Sequence, residues 1–196
     1  ALENFERTGQ PVSGPTGART AGNGSLMRLA PVPLYFASDP RAAIERSGES
    51  SRTTHGARAA VDACRYFAGL LLGALRGETR EILLGELFCP IPGYWTQNPL
   101  DAAVAAVAAG SFKRKNPPAL RGTGYVVDCL ESALWAFHHG NSFEEGCLLA
   151  VNLGDDADTT GAVYGQLSGA YYGLQAIPES WRAKIAGKKL IADLAE

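Results

Sequence analysis

Residues 152–173 of this 196-residue chain read NLGDDADTTGAVYGQLSGAYYG, and the second part of the stretch has a regular pattern of glycines. Glycines recur every four residues, at Gly161, Gly165, Gly169 and Gly173. This spacing places residues on one face of an α-helix, and a glycine face lets another backbone approach closely. The stretch therefore predicts a central helix that is packed tightly within a helical bundle.

The rest of the chain favours the same fold class. Apolar residues recur at helical spacing, and no run alternates apolar and polar residues as a half-buried strand does. After a loop-rich segment over residues 1–38, the predicted helices cover residues 56–75, 78–88, 98–109, 125–138, 158–173 and 178–195. Asp39 and Ser142 are expected to cap two further helices. Because 46% of the residues are apolar, the sequence predicts a single all-α domain over residues 1–196, a compact multi-helix bundle.

Composition argues against several classes of protein. Eighteen Lys and Arg residues against twenty Asp and Glu give a net charge of −2, so no nucleic-acid partner is expected. The longest uncharged run, residues 159–178, is too polar to span a membrane, and no membrane partner is expected. No two cysteines form a C-x-x-C pair, which argues against a zinc cluster. They are predicted to be buried free thiols of a cytoplasmic protein: Cys64, Cys89, Cys129 and Cys147.

Three carboxylates stand within four residues just before the glycine-patterned helix: Asp155, Asp156 and Asp158, followed by Thr159. Each close pair of like charges costs about 1 kcal/mol or more, and a bound cation would remove that repulsion. Oxygen ligands from Asp and Thr suit Mg²⁺, Mn²⁺ or Ca²⁺. The alternative is a solvated cluster that caps the helix, because carboxylates at a helix start interact favourably with its dipole.

Two other metal or phosphate motifs overlap the same residues. An EF-hand loop counted from Asp156 requires Glu at its twelfth position, where this chain has Leu167. The D-x-D-x-T signature of aspartate-based phosphatases matches residues 156–160, with Asp156 as the nucleophile. That class of enzyme builds a parallel sheet after the motif, and only 36 residues follow Thr160. A phosphatase therefore stays a remote alternative.

A second polar stretch, Gly22–Arg28, places Asn23 between two glycines and before Ser25. Such a loop can present backbone N–H groups to an anion, although a purely structural turn is an equal alternative. It is not a phosphate-binding Walker loop, because Asn23 stands where that motif requires Lys. His55 stands at the predicted start of a long helix, a position that is also typical of an ordinary capping or surface histidine.

Taken together, these stretches resemble the ADP-ribosylglycohydrolase family, which includes dinitrogenase-reductase-activating glycohydrolases. Gly22–Arg28 is similar to the family's G-N-G-x-x-M-R loop. Thr54 and His55 resemble its T-H pair at a helix start, and residues 154–159 resemble its G-x-D-x-D-T metal motif. The order and spacing of the motifs agree along essentially the whole chain.

The resemblance implies an all-helical hydrolase that holds two divalent cations, Mg²⁺ or Mn²⁺. Such an enzyme cleaves the glycosidic bond between ADP-ribose and an acceptor, which is a protein side chain or a small molecule. By position, the implied metal ligands are Asp156, Asp158 and Thr159, and the implied ADP-ribose contacts are Asn23, Gly24, Ser25, His55 and Tyr125. Asp156 and Asp155 are the candidates for a catalytic carboxylate.

The chain departs from the family pattern in one respect. Family members carry an N-terminal segment with an acidic Gly-Asp loop and a Thr-Asp-Asp run, which supply further ligands and an acid–base carboxylate. No Thr-Asp-Asp run occurs in this sequence, which resembles the C-terminal two-thirds of a family member. We therefore expect the chain alone to fold but to be nearly inactive until an N-terminal segment is supplied. A catalytically inactive ADP-ribose-binding protein is the competing hypothesis.

Overall fold

The computed structural model of this chain describes residues 1–195. They form thirteen α-helices: α1 (Leu2–Thr8), α2 (Gly24–Met27), α3 (Pro31–Tyr35), α4 (Pro40–Arg52), α5 (Arg58–Leu75), α6 (Arg80–Leu83), α7 (Tyr94–Gln97), α8 (Ala102–Ala108), α9 (Val126–His139), α10 (Phe143–Val151), α11 (Ala157–Tyr172), α12 (Glu179–Arg182) and α13 (Lys188–Ala195). Short 3₁₀ turns cover Ala18–Thr20, Ser111–Arg114 and Leu174–Ala176. No β-strand forms within the described part of the chain, so the predicted all-α fold class is confirmed.

The long helix α5 lies at the centre of the hydrophobic core. It is buried around nearly its whole circumference, as expected for a helix whose apolar residues are not confined to one stripe. Helices α4, α9 and α11 pack around it, and α10 packs against α9 and α11. Tyr66 and Phe67 of α5, Leu130 and Phe137 of α9 and Tyr164 of α11 are almost completely buried. This core fixes the N-terminal ends of α9 and α11, where the polar motifs begin.

Side-chain caps define the ends of several helices as the sequence predicts. Asp39 Oδ1 accepts hydrogen bonds from the amides of Arg41 and Ala42, each at 3.1 Å. Ser142 Oγ accepts from the amide of Glu145 at 3.1 Å. Both predicted caps are therefore confirmed.

Three predicted helices are wrong in extent. The helix expected over residues 98–109 begins only at Ala102, after a cap by Asp101. The helix expected over residues 78–88 covers only Arg80–Leu83, and the backbone of Leu87, beyond its end, is left-handed with φ of 51°. The helix expected over residues 178–195 is divided into α12 and α13. Gly187, with φ of 69°, lies between them. Neither break could be read from apolar spacing, because both depend on local backbone geometry.

The glycine face of α11 is not packed against another helix along its whole length, as the sequence had predicted. Helix α11 does pack within the bundle, through Val163, Tyr164 and Leu167. A Cβ atom added at Gly165 or Gly169 would nevertheless meet no atom within 4 Å. The prediction of tight packing through the glycines is therefore wrong at these two positions, because the larger side chains of α11 fill the interior.

The sequence also predicted buried free cysteines and no membrane-spanning helix. Cys64 and Cys129 are buried as predicted, whereas Cys89 and Cys147 are partly exposed, and all four are free thiols. Within residues 1–195, none of the helices combines the length and the apolar character that crossing a bilayer requires.

Candidate functional site

Three distant segments of the chain meet at one place on the bundle surface. They are the loop before α2, the turn before α9 and the loop before α11. Gly22 forms a β-bridge with Tyr125, and the amide of Val126 donates to the carbonyl of Ala21 at 3.0 Å. The amide of Asn23 donates to the carbonyl of Gly124 at 3.1 Å. The structure thus brings together the stretches that the sequence singled out.

Asn23 connects all three segments through its side chain. It is only 7% exposed, and its Nδ2 donates to Asp156 Oδ2 at 2.7 Å and to the carbonyl of Thr123 at 3.4 Å. The amide of Asp156 donates to the carbonyl of Gly122 at 2.8 Å. The hydrogen bond from Asn23 is the main reason why the pKa of Asp156 is lowered from its usual value. Asp156 is therefore a fixed, ionised carboxylate at neutral pH.

The other carboxylates of the acidic loop point to different surroundings. Asp155 has a left-handed backbone, with φ of 52°, and its Oδ2 accepts from Arg121 Nε at 3.1 Å and Nη2 at 2.9 Å. Asp158 is exposed in the first turn of α11. Arg121 thus removes part of the repulsion for which the sequence suggested a cation. Among residues 1–195, no three His, Cys, Asp or Glu side chains lie together as a metal-binding group.

The donors near the start of α11 are hard oxygen atoms, which fit a divalent cation such as Mg²⁺ or Mn²⁺. Thr159 is buried, and its hydroxyl donates to the sulfur of Met27 at 3.7 Å. A hydroxyl that uses its hydrogen in this way keeps both oxygen lone pairs for another partner. Together with the ionised Asp156 and the exposed Asp158, it would offer oxygen atoms to such a cation from one side.

Gly24 packs directly against the imidazole of His55. A Cβ atom at this position would lie 2.8 Å from His55 Cε1 and 3.2 Å from Nε2. A Cβ atom at Gly22 would lie 3.3 Å from the same Nε2. Only glycine allows this close approach, so the loop and the histidine form one continuous surface.

A chain of hydrogen bonds orients His55. Arg28 Nη2 donates to Thr54 Oγ1 at 2.9 Å, and Thr54 Oγ1 lies 2.9 Å from His55 Nδ1. The Thr54 hydroxyl has one hydrogen and two lone pairs, so it can accept from Arg28 and hold Nδ1 in either neutral tautomer. The other ring nitrogen, Nε2, is the atom that faces Gly22 and Gly24. The site therefore turns a polar ring nitrogen toward the glycine loop.

We expect His55 to be neutral at pH 7. Its pKa is lowered from 6.5, mainly because burial disfavours the imidazolium and also because Arg28 is nearby. An NMR titration of the imidazole resonances should give a midpoint below 6.5, and Arg28→Met should raise it. A midpoint at or above 6.5 in the parent chain would contradict this account of the site.

Of the remaining residues that the sequence predicts to contact ADP-ribose, Ser25 turns its side chain into the core and Tyr125 lies at the surface. The hydroxyl of Ser25 is buried and accepts from Ser51 Oγ at 2.9 Å and Cys64 Sγ at 3.5 Å, so it faces the core. Within the described residues, the backbone amides of Gly24 and Ser25 donate to no acceptor. Tyr125 is 40% exposed at the N-terminal end of α9. Of the groups of Ser25, the amide and not the hydroxyl is thus the one without a partner in the described chain.

Sequence reasoning missed the turn over residues 121–124. Gly122 and Gly124 hold the other two loops through their carbonyls, and Arg121 binds Asp155. Thr123 Oγ1 donates to Asp128 Oδ2 at 2.8 Å, which fixes the turn to α9. The R-G-T-G spacing before an apolar helix was the available signal, since two glycines so close together favour a tight turn.

A separate cavity of about 590 Å³ lies away from these residues. Phe88, Tyr94 and Trp95 line it, and none of the candidate site residues does. We place the candidate site at the three loops and not in this larger cavity, because a reactive site requires polar groups that converge on one point.

Comparison with known proteins identifies the family of this chain. The family model for ADP-ribosylglycohydrolase matches residues 1–196. An ADP-ribosylarginine hydrolase of Pseudomonas putida (strain GB-1) is 39% identical over 196 residues, which are 100% of this chain and 50% of the relative. An ADP-ribosylarginine hydrolase of Serratia proteamaculans (strain 568) is 34% identical over the same 196 residues, or 51% of its length.

A solved structure titled as an ADP-ribosylglycohydrolase-related protein complex superposes with a TM-score of 0.87 at 44% identity. The match covers 99% of this chain and 64% of that one. This chain spans about half the length of the curated relatives it matches. Since the family model covers every residue and the fold agrees, the chain belongs to the ADP-ribosylglycohydrolase family.

Proposed function

We propose that this chain forms one side of the active site of a hydrolase that cleaves the N-glycosidic bond between ADP-ribose and arginine. The choice of arginine rests on the names of the two relatives that match all 196 residues. The observation that carries the proposal is the hydrogen bond from Asn23 to Asp156, which joins an ionised carboxylate to the glycine loop. Binding groups for an anion and ligands for a cation thereby become neighbours.

Asp156, Asp158 and Thr159 would hold Mg²⁺ or Mn²⁺, and the complete site would hold two such ions. A bound divalent cation lowers the pKa of water and binds sugar hydroxyls. Three side-chain donors from one side are fewer than the six ligands that Mg²⁺ requires. An N-terminal segment, on the same chain or a separate one, would supply the remaining ligands and an acid–base carboxylate.

The chain's own residues bind and orient the substrate. The amides of Gly24 and Ser25 and the Nε2–H of His55 would donate to the diphosphate of ADP-ribose, which they meet in a fixed arrangement. Tyr125 would lie against the ribose. Asp156 is the stronger of the two candidates for a catalytic carboxylate, because Asp155 is engaged by Arg121.

Two alternative functions are an inactive ADP-ribose-binding protein and a phosphatase. A catalytically inactive ADP-ribose-binding protein would use the same glycine loop and would lack the acid–base carboxylate. A D-x-D-x-T phosphatase requires a parallel sheet, and residues 1–195 contain no strand. The four free thiols favour a cytoplasmic location, where thiols stay reduced.

The substrate can be tested with a fused protein, in which the part of the Pseudomonas putida relative that lies outside its matched region is joined to this chain in the relative's own order. We expect the fused protein with Mg²⁺ to release ADP-ribose from ADP-ribosyl-arginine and to leave an ADP-ribosyl-serine peptide intact. The isolated chain should release at least about a hundredfold less, because a positioned general acid or base contributes 10²–10⁴-fold. Binding of ADP-ribose by the fused protein without release from either substrate would favour the inactive alternative.

A further inference from the structure

The short helix α2 continues the glycine loop, so its position decides where the amides of Gly24 and Ser25 lie. It has only four residues, about one turn. One turn of helix is unfavourable on its own, because few hydrogen bonds compensate for the fixed backbone. The side chains of Leu26 and Leu29 bury it against the core, since they are 0% and 1% exposed. Apolar burial is non-directional, so directed polar contacts are needed to fix the loop in one position.

The side chain of Gln166, on α11, supplies such contacts. In a continuing helix the carbonyl of Met27 would accept from the N–H of residue 31, but Pro31 has none. Gln166 Nε2 donates to this carbonyl at 3.0 Å and to that of Leu26 at 3.2 Å. Gln166 Oε1 accepts from the amide of Ala30 at 2.7 Å. One side chain thus binds the backbone on both sides of the link between α2 and α3.

Gln166 lies on the same face of α11 as the candidate metal ligand Thr159. The two residues are seven positions apart, which is about two helical turns and roughly 10 Å. Thr159 Oγ1 donates to the sulfur of Met27 at 3.7 Å, and Asn23 Nδ2 donates to Asp156 Oδ2 at 2.7 Å. Residues 23–30 are therefore attached to α11 at three points. Of these three, only the contact made by Gln166 involves no candidate metal ligand.

Gln166 is not part of the packing by which α11 joins the core. Val163, Tyr164 and Leu167 make that packing, whereas Gln166 is only partly buried. Fixing a long glutamine side chain costs conformational entropy, and the hydrogen bonds that offset this cost act on the backbone beside the glycine loop. Loss of the side chain should therefore alter the position of the loop more than the stability of the bundle.

We propose that Gln166 is a positioning residue for the glycine loop. By holding α2 against α11, it sets the place of the Gly24 and Ser25 amides relative to Asp156, so that a ligand meets these groups in a fixed arrangement. Without its bonds the loop would occupy the binding position for only part of the time, and the apparent affinity for a ligand falls by that fraction. The step from loop position to affinity for ADP-ribose rests on the proposed function, whereas the step from Gln166 to loop position does not.

The first test measures the order of the loop in the isolated chain. Gln166→Met keeps the length and the helix propensity of the side chain and removes its hydrogen-bonding groups. The amides of Leu26 and Met27 donate to the carbonyl of Asn23 at 2.9 and 3.1 Å, and we expect them to exchange hydrogen at least about tenfold faster in the variant. Gln166→Asn keeps the amide on a shorter side chain, so this more conservative variant should show a smaller increase.

The second test measures binding of ADP-ribose, with Tyr164→Phe as the matched control on the same helix. The hydroxyl of Tyr164 lies 3.0 Å from the carbonyl of Phe143 and 3.2 Å from that of Ser142. The control therefore also removes hydrogen bonds between α11 and a neighbouring backbone, away from the glycine loop. At a temperature where all the proteins are folded, Gln166→Met should weaken binding at least about tenfold by titration calorimetry. Tyr164→Phe should leave the affinity unchanged, whatever its melting temperature.

Kinetics of the fused protein separate binding from chemistry. In Gln166→Met we expect the KM for ADP-ribosyl-arginine to rise at least about tenfold while kcat changes less than about threefold, because a contact shared by substrate and transition state alters KM alone. A fall in kcat at unchanged KM would overturn the proposal, since Gln166 would then act on the reacting groups.

Two further results would also overturn the proposal. One is unchanged hydrogen exchange of the Leu26 and Met27 amides in Gln166→Met, and the other is faster exchange with unchanged affinity for ADP-ribose. The proposed function fails in a different way. A parent chain and a fused protein that both bind no ADP-ribose would refute that function, and hydrogen exchange would still decide whether Gln166 holds the loop.

Discussion

Gly24→Val is expected to weaken the binding of ADP-ribose by at least about a hundredfold, because hydrogen bonds to a charged group are worth about 1.5–3 kcal/mol each and the variant would lose two or more of them. A Cβ atom at position 24 would lie 2.8 Å from His55 Cε1, and valine adds two methyl groups to it. The imidazole would have to leave the glycine loop, and the valine would cover the free amides of Gly24 and Ser25. Titration calorimetry with ADP-ribose measures the loss.

Gly17→Val is the matched control for this prediction. Gly17 lies in the exposed part of the same N-terminal region, and a Cβ atom there would meet only Thr20 Cγ2, at 3.9 Å. Its circular dichroism spectrum and affinity should equal those of the parent chain. If Gly24→Val binds ADP-ribose as tightly as the parent does, the loop is only a structural turn.

Asp156→Asn should have the second large effect, on the binding of divalent cations. The asparagine keeps an oxygen that can accept from Asn23 Nδ2, so the three loops should stay joined. It lacks the negative charge, and cation affinity falls steeply with ligand charge. We expect the fused protein to lose at least about a hundredfold in affinity for Mn²⁺, since even indirect contacts are worth 10–100-fold.

Asp155→Asn is the matched control, because it removes a neighbouring negative charge and not the proposed metal ligand. Asp155 pairs with Arg121 at the surface, and exposed ion pairs contribute about 0–1 kcal/mol. Its Mn²⁺ affinity should therefore stay within about a few-fold of the parent value. Equal and large losses in both variants would show that the acidic loop binds the ion as a whole and that Arg121 gives way.

Much of the fold could be predicted because local signals agreed with one another. The apolar spacing over residues 56–75 and the caps at Asp39 and Ser142 depend only on nearby residues. The same local signals failed for the ends of α6 and for the break before α13. The chain has left-handed backbones at Leu87, beyond α6, and at Gly187, before α13, and apolar periodicity does not encode such conformations.

The sequence predicted which residues belong to the candidate site, but not the hydrogen bonds that join them. Asn23, His55 and Asp156 were identified from motifs, and the structure brings Asn23 to Asp156 across 133 positions of sequence. The orientation of each side chain could not be predicted from the sequence, because it depends on how the helices pack. Ser25 faces Ser51 in the core, and Asp155 faces Arg121.

The glycines of α11 illustrate the limit of pattern reasoning most clearly. Their spacing predicted a close helix contact along the whole face, and the structure shows such a contact at only one of the glycines within α11. Gly161 does have a neighbour, since a Cβ atom there would lie 2.9 Å from Val151. Gly165 and Gly169 have none within the described residues.

The central claim is that Asn23, His55 and Asp156 belong to one site for ADP-ribose and a divalent cation. The most direct measurement is a crystal structure of the fused protein with ADP-ribose and Mn²⁺, in which anomalous scattering locates the metal. The account predicts Mn²⁺ coordinated by Asp156, Asp158 and Thr159, with the diphosphate bound by the amides of Gly24 and Ser25 and by His55 Nε2. Mn²⁺ away from Asp156, or ADP-ribose in the cavity lined by Phe88 and Trp95, would contradict it.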